Sequence, residues 1–287
     1  MRRSLNYPMY MKNLDLTEAS QYILKIHEVK NVQTSTSVAH VLSQAERDLW
    51  ISGTQHTQDI NDSQISILEK KFTNFLNQNY KNPILCLEGS LPDEIKDKED
   101  AVQKYGEKAI LILMAQKHGM RIVSVEPSQA EISEWAMQIF PQPLVHAAWA
   151  TLNILSRSPE SLEKALPKIS TTYGFKESPE ELFEQISDYL REQQIIEIPN
   201  HLEQLSKRVI NKEKTHKGQE PGDGPFPTNE AGSAINLARD YGLFINTIKI
   251  LEENKNDGVF AWFGLNHVLA MMPAFEMKGY KKIPAHY

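Results

Sequence analysis

Leu49-Trp-Ile-Ser-Gly53-Thr-Gln-His56 decides how this chain is read, because a short apolar run leads straight into a Gly-x-x-His motif. The arrangement returns near the other end, where Val259-Phe-Ala-Trp-Phe263 is followed by Gly264-Leu-Asn-His267. With 13 glycines and 9 histidines in 287 residues, chance supplies about 0.4 such motifs. One copy therefore means little; two copies, each after a strand, carry weight. In an open α/β sheet the turns at the carboxyl ends of strands gather ligands and catalytic groups, and glycine lets the backbone bend sharply there.

Working outward, Ile84-Leu-Cys-Leu87 and Arg121-Ile-Val-Ser-Val125 are two more short runs that are continuously apolar and do not alternate. That is the pattern of parallel strands covered on both faces. Helical periods lie between them. Ile65, Leu68, Phe72, Phe75 and Leu76 share one face after a cap at Asp62 or Ser63, and Tyr105 to His118 is apolar nearly all round. Alternation of strand and helix predicts an α/β fold with a central, mainly parallel sheet flanked by helices.

The chain reads as a single α/β domain over 1–287 with an all-helical insertion at about 141–221. Within that stretch Ser178-Pro-Glu-Glu181 has the form of a helix start, and Ile195-Ile-Glu-Ile198 is a candidate extra strand. The run 218–227 is rich in Gly and Pro and reads as a loop able to cover a site. It lacks the Gly-Lys-Ser/Thr ending of a phosphate-binding loop. After it a long helix from about Asn229 to Glu253 puts Leu237, Tyr241, Phe244, Ile248 and Leu251 on one face, with Arg239 off that stripe.

Composition limits the function classes. A charge of -6, with no block of like charges, offers nothing to a phosphate backbone or an anionic membrane, so neither nucleic acid nor membrane is an expected partner. A small molecule or peptide substrate is. Cys86 is the only cysteine and sits inside an apolar strand, where a thiol is normally an inert small hydrophobe. It excludes an intrachain disulfide and fits a reducing, cytoplasmic setting. The amino terminus lacks the apolar core of a signal peptide.

The four strand ends deliver His56, Glu88, Glu126 and His267. A carboxylate emerging from a buried strand demands a cation, a metal or a set of donors. Two imidazoles and a carboxylate are a plausible ligand set for a divalent ion such as zinc, manganese or cobalt. Gly53, Gly264 and Asn266, inside the two motifs, are the positions expected to lie against a bound cofactor.

These residues, in this order, resemble the TraB/Tiki superfamily, with its ChaN-like haem-binding and erythromycin-esterase-like relatives. The likeness rests on Gly53-Thr-Gln-His56, Leu87-Glu88-Gly89, Val125-Glu126-Pro127, Arg239 on a helix, and Gly264-Leu-Asn-His267 followed by a helix and Gly279-Tyr280. Two departures stand out: Asp240 where the family usually has Asn, and Thr57-Gln-Asp59 where an apolar pair is usual. The resemblance implies a hydrolase for an amide or ester bond, with His56, Glu88, Glu126, Arg239 and His267 as catalytic residues. In the metal-assisted form that the resemblance implies, His56, His267 and Glu88 hold the ion, the ion activates water, Glu126 relays a proton and Arg239 stabilises the oxyanion. In the metal-free form a histidine is the general base and the glutamates orient it. The ChaN-like branch implies haem as an alternative ligand, and a degenerate site would leave a non-catalytic interaction protein.

Overall fold

In the computed structural model the described residues are chiefly 37–44, 47–92, 97–146, 227–254 and 257–283, with scattered positions elsewhere, among them 5–6, 148–149 and 180–182. The expected helical insertion and the strand at 195–198 fall almost wholly outside them, as does the loop at 218–227 except for its last residue.

A seven-stranded sheet forms the centre, in the order β1-β5-β4-β6-β3-β2-β7. The strands are β1 (Leu5–Asn6), β2 (Ser37–Gln44), β3 (Arg47–Thr54), β4 (Ile84–Leu87), β5 (Arg121–Ser124), β6 (Val259–Gly264) and β7 (Lys281–Ile283). From β1 to β3 every neighbouring pair is parallel; β2 pairs antiparallel with β3 and with β7. The four apolar runs are thus adjacent and point the same way. Every residue of β4 and β6 is buried, as strands covered on both faces must be.

Helices α1 (Ser63–Leu76), α2 (Lys98–Tyr105), α3 (Lys108–Lys117), α4 (Gln129–Ala136), α5 (Pro227–Glu253) and α6 (Leu265–Met277) complete the layers. Side chains alternate across a strand, and two clusters result. Leu49, Ile51, Cys86, Val123, Val259, Ala261 and Phe263 meet residues of α5 and α6, such as Phe244, Leu251, Val268 and Phe275. Trp50, Leu85, Leu87, Phe260 and Trp262 meet Leu68, Phe72 and Phe75 of α1 with Leu111 and Ile112 of α3. Phe244, Ile248 and Leu251, on the stripe expected of α5, are buried.

The order also carries a reversal. From β3 the chain passes through α1 to β4 and then outward to β5, and it later returns to lay β6 in the slot between β4 and β3. Such a switch opens a crevice above the carboxyl ends of the strands.

Several local expectations are met by capping. Asp62 accepts from Gln64 N at 2.9 Å and starts α1. Glu181 N donates to Ser178 Oγ while Ser178 N donates to Glu181 Oε2, the reciprocal pair anticipated at that helix start. Other expectations are corrected. The helix expected over Tyr105 to His118 is interrupted at Gly106, whose φ of 73° no ordinary side chain adopts comfortably, and α3 begins at Lys108. Strands β2 and β7 went unread. In β2 only Val41 and Leu42 are buried, and β7 is wholly exposed, so neither shows a continuous apolar run.

The role expected of the motif glycines also changes. Neither Gly53 nor Gly264 has positive φ, so sharp bending is not what they supply. Gly53 lies within β3, and a Cβ there would stand 2.9 Å from Val268 Cγ2 and 3.1 Å from Leu265 Cα. Its missing side chain is what lets α6 lie against the sheet. Gly53→Ala is therefore expected to destabilise the fold by about 1–3 kcal/mol, read as a lower denaturation midpoint with an unchanged slope.

Candidate functional site

The parallel register places the ends of β3, β6, β4 and β5 along one edge of the sheet, so His56, Gly264, Glu88 and Glu126 arrive there together. Glu88 N donates to Trp262 O, which carries the ladder one residue past β4. From the helical layer α5 adds Arg239 and Asp240, and its Asn246 Nδ2 donates to Val125 O at 3.0 Å, tying that helix to the end of β5. His267 is the third residue of α6, which starts directly from β6.

Arg239 is the hub. Its Nε donates to Glu126 Oε1 at 2.5 Å; its Nη2 donates to Glu88 Oε1 at 2.7 Å and to Glu126 Oε2 at 3.2 Å. Its Nη1 lies 3.1 Å from His267 Nε2. The same Nε2 stands 3.5 Å from Glu88 Oε1, while Nδ1 of the ring meets Asp240 Oδ1, so His267 is flanked by two carboxylates and the guanidinium. Glu88 Oε2 accepts from Gly264 N at 2.6 Å, at the amino end of α6, and Glu126 Oε2 accepts from Gly89 N at 3.0 Å. Every acid expected at a strand end is thus paired.

These partners act on ionisation. Burial alone would raise the Glu88 pKa, but His267, Arg239 and the Gly264 N–H outweigh it and hold Glu88 at about 2. Burial opposes charge on His267, yet the Glu88 and Asp240 carboxylates prevail and raise its pKa. Burial raises Asp240, against the pull of His267. Glu88 is therefore a fixed anion and Arg239 a fixed cation.

A second cluster adjoins the first. His56 Nδ1 is 3.3 Å from Glu107 Oε1, with the Glu107 side chain 1 % exposed and that of His56 62 % exposed. Glu107 is itself held: Thr54 Oγ1 donates to Oε1 at 2.9 Å, Thr57 N donates to Oε2 at 3.0 Å, and Trp262 Nε1 donates to Thr54 Oγ1 at 2.9 Å. The Trp262 ring stands edge-on to the imidazole, 5.6 Å between centroids. The hydrogen bond from Glu107 raises the His56 pKa. With Nδ1 turned to Glu107, Nε2 lies 3.0 Å from where a Gly264 Cβ would be; Glu88 Oε2 is 3.4 Å and His267 Cδ2 3.3 Å from the same point. Gly264 is thus required for space, since any side chain would fill the gap between the two imidazoles.

That gap opens into a cleft of about 790 Å³ lined by His56, Glu88, Glu107, Lys104, Lys108 and Trp262, among others. Of the residues expected from sequence, His56 and Glu88 line it. Glu126, Arg239 and His267 do not, so the proton relay expected of Glu126 and the oxyanion contact expected of Arg239 have no direct route to this cleft. Both Glu126 oxygens are taken up with Arg239 and Gly89. Asn266 is exposed on the first turn of α6, and Gly53 packs against that helix; neither faces the cleft. Glu107 and Lys108 were missed. Their signal was the sequence Gly106-Glu-Lys108, a glycine stop followed by a charged helix start.

The donor set does not fit the divalent ion expected at His56, His267 and Glu88. Among the described residues no group of three or more His, Cys, Asp or Glu side chains is arranged to hold a metal. The guanidinium of Arg239 takes up the oxygens of Glu88 and Glu126 and faces Nε2 of His267, so a cation already stands at the centre. No helix among the described residues is long and apolar enough to cross a membrane.

No protein-family model matches the chain, and the comparisons with curated proteins and with solved structures gave no match. The arrangement defines an α/β protein with an arginine-centred polar cluster beneath an imidazole–carboxylate pair.

Removing the hub leaves two buried carboxylates facing each other without a cation. Arg239→Met is expected to lower stability by about 3 kcal/mol, the low end for a broken buried pair because the arginine side chain is 26 % exposed. Chemical denaturation at neutral pH measures it.

Proposed function

We propose that the protein is a hydrolase of an amide or ester bond in which His56 is the general base and Glu107 its orienting partner. The observation that carries this reading is the pairing of the ring: Nδ1 is held by a buried carboxylate, and His56 lines the cleft with Nε2 on the Gly264 side, beside Glu88. A base within reach of a reacting group, oriented by a third group, is the recurring logic of acyl transfer. Nε2 would draw a proton from water as the oxygen attacks the carbonyl carbon. The same proton would pass to the leaving oxygen or nitrogen as its bond to carbon breaks. Glu88, anionic beside the ring, favours the imidazolium formed between these steps. Arg239, Glu126, His267 and Asp240 are positioning residues, since they hold Glu88 and the start of α6 without lining the cleft.

This form corresponds to the metal-free alternative implied by the resemblance to erythromycin-esterase-like members of the TraB/Tiki superfamily, and we place the chain with that group on the order of its motifs. The single cysteine accords with a cytoplasmic setting.

A panel of chromogenic esters and anilides tests the proposal. His56→Gln is expected to cut kcat/KM about 10²–10⁴-fold; turnover equal to wild type would remove His56 as the base. The pH profile carries a sign. A base works when deprotonated, so activity rises with pH through the His56 pKa. Glu107 raises that pKa, hence Glu107→Gln is expected to shift the rising limb to lower pH while reducing the maximum. A limb that stays in place, or moves upward, contradicts the pairing. Dialysis against a chelator is expected to leave turnover unaltered, and loss restored by zinc, manganese or cobalt would overturn the metal-free form.

A further inference from the structure

The charges at the cleft walls are unevenly answered. Glu88 accepts from Gly264 N and from Arg239, which it shares with Glu126, and Glu107 is shut beneath His56 and Thr57. Lys104 and Lys108 also line the cleft, and among the described residues neither lies within ion-pair distance of a carboxylate. The cleft wall thus carries two ammonium groups beside carboxylates whose oxygens already have donors.

Lys108 is built into the wall. Its ammonium donates to Ser90 O at 3.2 Å and Glu88 O at 3.5 Å, which leaves one of its three N–H donors without a partner among the described residues. The loop it rests on is fixed. Gly89 N donates to Glu126 and Gly89 O accepts from Ser124 Oγ at 2.8 Å. Gly89 has φ of 77°, and a Cβ there would stand 3.0 Å from Lys108 Nζ, so glycine is what admits the ammonium. Desolvation lowers the Lys108 pKa, as expected for a cation held off bulk water. Lys104 sits further out, its Nζ 5.1 Å from the centre of the Tyr105 ring.

We propose that the cleft selects a substrate bearing an anionic group, a carboxylate being the simplest, and that Lys108 is the residue that reads it. The proposal rests on the hydrolytic reading of the same cleft only for where the scissile bond would lie. An anion seated on Lys108 completes the third donor of the ammonium and leaves the remainder of the molecule to extend toward His56. Lys104 adds longer-range attraction at the rim.

Succinate, with uncharged succinamide as control, is the probe for titration calorimetry on the full chain at low salt. Succinate is expected to bind at least about tenfold more tightly than succinamide, and Lys108→Met to weaken succinate at least about tenfold, as loss of a charge-assisted contact should. Lys108→Arg keeps the charge and is expected to retain part of the affinity, which a merely structural lysine would not require. Succinate binding no tighter than succinamide overturns the proposal without recourse to any variant. Equal succinate affinity of wild type and a Lys108→Met protein of unchanged melting temperature overturns it too. In a second arm, the ratio of kcat/KM for mono-4-nitrophenyl succinate over 4-nitrophenyl acetate is expected to fall about tenfold in Lys108→Met. If neither ester is turned over while succinate still binds through Lys108, the hydrolytic reading fails and the anion selectivity stands.

Discussion

The bidentate grip of Arg239 on Glu126, extended by Nη2 to Glu88, is the contact on which the site depends. Two carboxylates at the ends of adjacent buried strands would repel each other and lose their hydration. A planar guanidinium answers both at once, with donors in a fixed fork. Because Arg239 belongs to α5 and the acids to β4 and β5, the same bonds set where the long helix lies over the sheet. Asn246, two turns further on, fastens α5 to Val125 O. Glu88, pinned by Arg239 on one oxygen and Gly264 N on the other, in turn fixes where β6 passes into α6.

Much of this was legible in the chain, for physical reasons. Strands covered on both faces have to be apolar along their whole length, so β3, β4, β5 and β6 stood out, and the polar residues that end them were conspicuous. Glu88 and Glu126 called for a cation, which was correct chemistry; that the cation is Arg239 rests on a helix more than a hundred residues away in sequence, where spacing gives no guide. The two imidazoles approach one point because β3 and β6 are parallel neighbours, a pairing that only the topology decides. Glu107 and Lys108 were hidden for the opposite reason. A charged pair at a helix start is ordinarily solvated surface, and nothing local reveals that Thr54 and Thr57 bury the first of them. The half-buried β2 and exposed β7 lack the apolar run on which strand reading relies.

The two clusters differ in freedom, and the difference bears on function. Around Arg239 every group has a committed partner and little exposure, which suits a scaffold. Around His56 the carboxylate is buried and locked while the ring projects into the cleft with one nitrogen unengaged by the described residues. A group meant to gain and lose a proton needs an open side; a group meant to hold position does not. Placing the mobile proton on His56 and the fixed charges on Glu88 and Arg239 follows from that division.

The choice of arginine over a metal at the hub has a further consequence for how the cleft can work. A divalent ion would bring its own water and its own Lewis acidity, and the ligands would serve it. A guanidinium supplies charge and geometry but activates nothing, so in the proposed hydrolysis activation of water would pass to a titratable side chain. Among the described residues His56 is the one imidazole that lines the cleft, and its buried partner Glu107 holds the ring at Nδ1. In the proposed site selection would pass in the same way from a metal's open coordination site to the walls, where the ammonium of Lys108 rests on the carbonyls of Glu88 and Ser90. The departure at position 240 fits this arrangement. An aspartate there, unlike an asparagine, is an anion against the His267 ring, and with Glu88 it outweighs burial and raises the pKa of that imidazole.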